Sequence, residues 1–182
     1  MNSQRWKVLS TELVLDASPY MIVHKEKVEL PSGTVIEDYY QYIMPDVSVV
    51  VSHTDNEILM IKQYRHGIRK FTYTLPGGQV EHNEPPIMTA RRELTEETGV
   101  SGGSIMHLGS YARDLSKGGG YMHFYLVSHP DKFEEASEPD IEGGEMEWVP
   151  IGTIRQYLKT EHVGSVGIAL ALALSLIRIE AK

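Results

Sequence analysis

Apolar and polar positions alternate along much of this chain, and the breaks in that alternation mark its elements. Residues 5 to 44 read as short strands with a hairpin signal: Met21 to Leu30 alternates imperfectly, Pro31-Ser-Gly turns, and Thr34 to Met44, with three tyrosines, continues. Pro45 marks a boundary. Beyond it, Val47 to Val51 and Glu57 to Gln63 flank the polar turn His53-Thr-Asp-Asn and predict a hairpin. Further strands are predicted at Ile105 to Tyr111, Tyr121 to Val127 and Met146 to Val149, and two helices close the chain. The last, about Ser165 to Ile179, carries an apolar run from Val166 to Ile177 that is well short of the roughly 20 residues needed to span a bilayer. A core-facing or dimer-facing helix is expected there, not a membrane anchor. The stretch 131–145, acidic and containing Gly143 and Gly144, is expected to be a mobile loop.

One more helix is predicted over about 85–98. Asn83 or Glu84 can cap its start, Pro85 and Pro86 suit a first turn, and Gly99 can take the left-handed stop. At about 100° per residue, Ile87, Ala90 and Leu94 form a buried stripe and Glu93, Glu96 and Glu97 lie together on the adjoining one. Like charges three and four apart repel by a few tenths of a kcal/mol per pair, so something must offset them. Carboxylate oxygens in this arrangement suit a hard cation, Mg²⁺ or Mn²⁺. An acidic triplet standing alone is more often a solvated helix face.

The triplet does not stand alone. Gly78, Glu84, Arg92, Glu93, Leu94, Glu96, Glu97, Gly99 and Val100 reproduce the signature of the Nudix hydrolases, and the chain resembles that family. The resemblance implies an α/β fold, a Nudix α/β/α sandwich with a mixed sheet, and hydrolysis of a nucleoside diphosphate linked to another group. It implies Glu93, Glu96, Glu97 and the Gly77 carbonyl as metal ligands, with Arg92 and Glu84 orienting the ligand carboxylates. The β-rich piece over residues 1–45, the segment Gln63-Tyr-Arg-His-Gly, the run Thr74-Leu-Pro-Gly-Gly-Gln-Val-Glu and the ending Glu147-Trp-Val-Pro-Ile resemble the ADP-ribose and nucleoside-diphosphate-sugar pyrophosphatase branch. That likeness implies a small antiparallel N-terminal subdomain that pairs with a second subunit, a catalytic domain over 46–182, and a homodimer. A small isolated sheet buries too little apolar area to stand alone, which leads to the same expectation. ADP-ribose pyrophosphatases of the strict type carry a proline beyond the box where this chain has Leu115 and Ser116, so a broader nucleotide-sugar hydrolase fits equally.

Charge refines this picture. The net charge is -8, yet residues 77–100 and 133–147 hold twelve of the 25 acids and two of the 17 bases, so the acidity is local. General nucleic-acid binding needs a basic face and is not expected. The chain has no cysteine, which excludes disulfides, thiolate metal sites and a cysteine nucleophile, and Met1 to Ser10 lacks the apolar core of a signal peptide, so the cytoplasm is the expected compartment. Lys62, Arg65, Arg69 and Lys70 fall in a stretch, 58–80, without an acid, where they can neutralise a diphosphate; Arg65 is favoured because guanidinium grips phosphate with two prongs. Among the tyrosines, Tyr20, Tyr39, Tyr40 and Tyr42 offer faces for stacking on a base. Glu142 and Glu145 occupy the region from which, by the resemblance, a glutamate activates water or completes the metal shell. The histidines, His24, His107 and His123 among them, show no paired ligand spacing and are read as structural, and Gly118-Gly-Gly is read as a flexible loop. Alternatives are another Nudix substrate, such as a dinucleoside polyphosphate or nucleoside triphosphate, or a nucleotide-sugar sensor without turnover.

Overall fold

The computed structural model describes residues 4–133, 144–160 and 162–181, and the chain divides into two compact units. The first comprises residues 1–46 and 111–121, and the second residues 47–110 and 122–182.

In the first unit β1 (Lys7–Ala17), β2 (Met21–Glu29) and β3 (Val35–Ile43) form an antiparallel meander. The turn at Pro31-Ser-Gly closes through the Leu30 N–H on Thr34 O at 2.8 Å, and Gly33 adopts φ 83°. The tyrosine-rich strand is shorter at both ends than the pattern predicts. β1 lies within residues 5–44, which read as short strands, but its side chains are exposed on both faces, so it lacks the alternation that would set its limits.

The second unit is built on a mixed sheet. β4 (Val47–His53) pairs antiparallel with β5 (Glu57–Arg65) at the predicted hairpin, and β5 pairs with β6 (Lys70–Thr74). A short β7 (Gly77–Gln79) returns to β4, with Gly78 opposite Ser48. Helix α1 (Pro86–Thr98) leads through β8 (Val100–Ser101) to β9 (Ser104–Asp114), which carries the chain into the first unit, and β10 (Gly118–Ser128) brings it back. From Met122 to Ser128, β10 runs parallel to β4. Then β11 (Lys132–Phe133) pairs with β8, and β12 (Glu145–Pro150) lines the outer side of β5 before α2 (Ile151–Tyr157) and α3 (Val166–Glu180). The segment expected to be mobile falls largely outside the described residues.

Side-chain alternation sorts this sheet into two cores. Val50, Leu59, Tyr125 and Val127 pack with Ala90, Leu94 and Val100 on the α1 side, whereas Val49, Val51, Ile58, Met60, Phe124, Leu126 and Val149 pack with Ile154, Ile168, Ala171 and Leu172 on the α2 and α3 side. Such strands are covered on both faces, so they read as apolar runs. The result is an α/β/α sandwich. No helix among the described residues is long and apolar enough to cross a membrane.

The Gly118-Gly-Gly triplet is not a free loop. It opens β10, with Gly119 and Gly120 at φ 88° and 76°. A Cβ on Gly119 would stand 2.3 Å from the Tyr42 ring, and one on Gly120 would stand 2.6 Å from Met44 O, so close backbone approach and left-handed torsions both require glycine.

Because Leu172 is fully buried in the α3 core, Leu172→Ala should lose about 2–5 kcal/mol of unfolding free energy in urea titrations. Val166→Ala, on the exposed side of the same helix, should stay within about 0.5 kcal/mol of the native chain.

Candidate active site

Helix α1 starts at Pro86, and neither Asn83 nor Glu84 caps it by a side chain; Pro85 holds the cap position in extended geometry. Glu84 has other partners. Its Oε2 accepts from the Thr89 hydroxyl at 2.8 Å, and its two oxygens receive Arg92 Nε and Nη2, each at 3.2 Å. The stop is as expected: Gly99 has φ 68° and its N–H donates to Thr95 O at 2.8 Å. The buried side of the helix is Thr89, Ala90, Leu94 and Thr98, while Ile87 is exposed. Ile87 lies in the first turn, and the helix meets its core one turn later.

Arg92 sits among the acids. Its Nη1 donates to Glu93 Oε1 at 2.7 Å and to Glu96 Oε2 at 2.9 Å, so one guanidinium joins three carboxylates. Those hydrogen bonds, Glu84's first, push the Arg92 pKa further up. In return Arg92, and then Thr89, hold the Glu84 carboxyl below the usual carboxylate range. Glu93 moves the other way: burial raises its pKa, against the pull of Arg92.

Glu97 accepts the Gly77 N–H at 3.1 Å. The bond ties Glu97 to Gly77, whose carbonyl is the atom expected to face a metal ion. Gly78 lies close against the same cluster, since a Cβ there would stand 2.2 Å from Glu93 Oε1 and would displace that carboxylate. On the other flank Arg91, which the sequence reading passed over, donates to Gly102 O and Gly103 O at 3.0 and 3.1 Å and fastens the helix to the turn before β9. Among the described residues, no three acidic or histidine side chains converge into a ready-made metal cage. The donor set nonetheless suits a hard cation, because four glutamates lie along α1 and the turn before it and Arg92 neutralises them only in part.

The other predicted residues divide. Arg65 ends β5 with the parity of Leu59, which packs on the α1 side, whereas Lys62 has the parity of Ile58 and Met60 on the opposite side. The basic cluster is thus split between two faces. Arg69 lies in the β5–β6 turn with φ 54°. Glu145 stands opposite Lys62 and shares its parity with Val149, so it starts on the α2 and α3 face and is not brought to the α1 carboxylates. Glu142 lies outside the described residues. Tyr20 and Tyr40 belong to the first unit and are exposed there.

Residues 43–166 match the NUDIX domain. The chain belongs to the Nudix family. Residues 6–42 match the nucleoside diphosphate sugar hydrolase N-terminal domain, which puts this Nudix chain in the pyrophosphohydrolase branch expected from its sequence. It is similar to the CMP-5'-(N-acetyl-N-hydroxy-3-aminopropyl)phosphonate hydrolase of Streptomyces rubellomurinus, 29% identical over 88% of this chain and 78% of that protein. It is also similar to the ADP-ribose pyrophosphatase of Mycobacterium tuberculosis, 29% identical over 95% of this chain and 84% of that one. The crystal structure of an ADP compounds hydrolase shares the fold of this Nudix protein, with a TM-score of 0.84 at 19% identity over 98% and 96% of the two chains.

Since the folded pKa of Glu84 is depressed, the stability it contributes is present at neutral pH and is lost as pH falls through that lowered value. Glu84→Gln should therefore be less stable than the native chain at neutral pH, and the gap should narrow as the pH falls through that lowered value, because Glu84 then becomes protonated and neutral like the glutamine. Urea unfolding across that range measures it; a gap that widens on acidification would contradict the assignment.

Proposed function

We propose that this chain hydrolyses the pyrophosphate bond of nucleoside diphosphate sugars, ADP-ribose among them, to a nucleoside monophosphate and a sugar phosphate. The observation that carries this reading is the carboxylate group around Arg92. Four glutamates gathered on one helix and its preceding turn, with a single guanidinium joining three of them, form a set whose remaining negative charge calls for a divalent cation. Glu93, Glu96 and Glu97, with Gly77 beside them, would hold Mg²⁺ or Mn²⁺. Such an ion, when bound, supplies charge neutralisation at the phosphoryl oxygens and acidifies water.

The chain's own residues then have separable tasks. Arg92, itself held by Glu84, orients Glu93 and Glu96 through its hydrogen bonds to one oxygen of each. Arg65 and Arg69 bind diphosphate oxygens, and the exposed rings of Tyr20 and Tyr40 stack on the base. Glu142 takes the proton of the attacking water; Glu145, which starts on the opposite face, is the weaker choice of that pair. The names of the two relatives also support a substrate in which a nucleoside phosphate is joined to a second group.

Incubation with Mg²⁺ and, in turn, ADP-ribose, GDP-mannose and UDP-glucose, followed by separation of the nucleotides, tests this. A monophosphate should appear from at least one of them, and Glu97→Gln should lower its rate by at least about a hundredfold. No monophosphate from any substrate would leave a non-catalytic sensor as the better reading, and full-speed cleavage by the variant would remove the metal role.

Two copies of the chain pair through the first unit, on the same proposal. β1 leaves Val8, Leu13, Val14 and Leu15 each about half exposed, and a strand so apolar on both faces is a liability unless another surface covers it. Light scattering should give the mass of a dimer for the native chain and of a monomer for the Leu13→Lys, Leu15→Lys double variant. A monomeric native chain would end that proposal.

A further inference from the structure

His107 and His123, read from sequence as unrelated structural histidines, are joined in the second unit by one hydroxyl. The Ser110 hydroxyl lies 2.9 Å from His107 Nε2 and 2.8 Å from His123 Nδ1. In a regular strand residues 107 and 110 point to opposite faces. Gly109, at φ 151°, breaks the alternation and lets both side chains meet. A hydroxyl can donate one hydrogen bond and accept others, so it can serve both imidazoles at once, and the three side chains set each other's orientation.

Their face is decided by the sheet register. His123 pairs with Ser48 on β4, and Ser48 pairs with Gly78 on β7. Ser48 Oγ donates to Pro86 O at the start of α1, and Gly78 lies against the Glu93 carboxylate. Tyr125, two residues after His123, packs in the α1 core and has the His107 ring 5.2 Å from its own. His123 therefore stands in one row with Ser48 and Gly78, on the carboxylate face, at about two strand spacings, or roughly 10 Å, from Gly78. That distance favours a role away from the carboxylates. A base or acid working on the attacked phosphorus must come within about 3 Å of the moving proton. An extended nucleotide sugar, by contrast, is longer than the gap.

We infer that His123, oriented by Ser110 and His107, binds the group that the diphosphate carries on one side, a sugar hydroxyl or a terminal phosphate oxygen, and so helps to set which nucleotide sugar is accepted. The inference rests on the reading of the carboxylate site as a nucleotide-sugar hydrolase, and it adds a specificity-determining residue to it.

Two measurements on the full chain test it. In steady-state kinetics with Mg²⁺ and the best of ADP-ribose, GDP-mannose and UDP-glucose, His123→Ala should raise KM about tenfold with kcat within about twofold, as loss of one hydrogen bond to a polar or charged group predicts. Ser110→Ala, which keeps the imidazole but frees its orientation, should raise KM less, by about threefold, and His123→Gln, which keeps a donor, should recover part of the loss. Calorimetric binding of a nucleotide sugar with a methylene bridge in its diphosphate should weaken by the same factors, in variants whose melting curves match the native chain. Unchanged KM and unchanged binding in His123→Ala would overturn the inference while cleavage by the native chain keeps the hydrolase reading standing. If the native chain binds the analogue without cleaving any substrate, the hydrolase reading falls, and the binding arm alone decides the role of His123. If it binds none, both fall.

Discussion

The grip of Arg92 on Glu84, Glu93 and Glu96 is the interaction on which the site depends. Carboxylates three and four apart on one helix repel each other, and of the four acids in and before α1 two are largely withdrawn from water, with side chains 17% and 14% exposed for Glu84 and Glu93. An exposed ion pair contributes little, and a fully buried one can fail to recover its desolvation cost. This cluster lies between those limits and is a network: every bond to the guanidinium is charge-assisted, and the Thr89 hydroxyl satisfies a further oxygen of Glu84. The surroundings follow from it. A side chain on Gly78 would displace the Glu93 carboxylate, Gly77 turns its N–H to Glu97, and the turn before α1 brings Glu84 to Arg92.

Period-two alternation in the sheet does the rest of the positioning. Once Val50, Leu59 and Tyr125 are committed to the α1 core, the face of every other residue on β4, β5 and β10 is settled. Ser48, Gly78 and His123 fall on the carboxylate side, and Lys62, Glu145 and Glu147 on the other, where Glu147 accepts from the Tyr73 hydroxyl at 2.8 Å. Chemistry is therefore distributed between the faces by register, not by nearness in sequence. Four lysines and arginines within nine residues do not make one phosphate site when the strand that carries two of them turns those two apart.

What was legible in the sequence was what is local. The α1 span, its glycine stop, the hairpin of β4 and β5, and the closing helix are visible because helix signals act within a turn and strand signals within a few residues. The carboxylate block is equally local, with all its acids inside one helix and the turn before it. The rest needed pairings over long separations. Ser110 meets His123 across 13 residues and Ser48 meets the start of α1 across 38, and neither contact leaves a trace in spacing. Ile87 shows the limit from the other side: its period puts it on the buried stripe, but burial ends where the helix overhangs its core. Strand β1, exposed on both sides, lies in a stretch that reads as strand but had no period to fix its ends.

Two roles have to be reconciled at the carboxylates, because the oxygens that Arg92 holds belong to the residues suited to a cation. Arg92 takes Oε1 of Glu93 and Oε2 of Glu96, one oxygen from each. A carboxylate has a second oxygen, so a guanidinium and a metal ion can share it, each on its own side, provided the group is already turned the right way. The fork of Arg92 does the turning, since Nε and Nη2 are fixed on Glu84 and only Nη1 is left to span Glu93 and Glu96. A lysine in its place would bring the same charge but could not hold Glu84 with two prongs while bridging the other two. The arginine is thus required by geometry more than by charge. Arrival of a cation would then demand little rearrangement, because the loss of side-chain freedom that binding usually requires has already been met in folding.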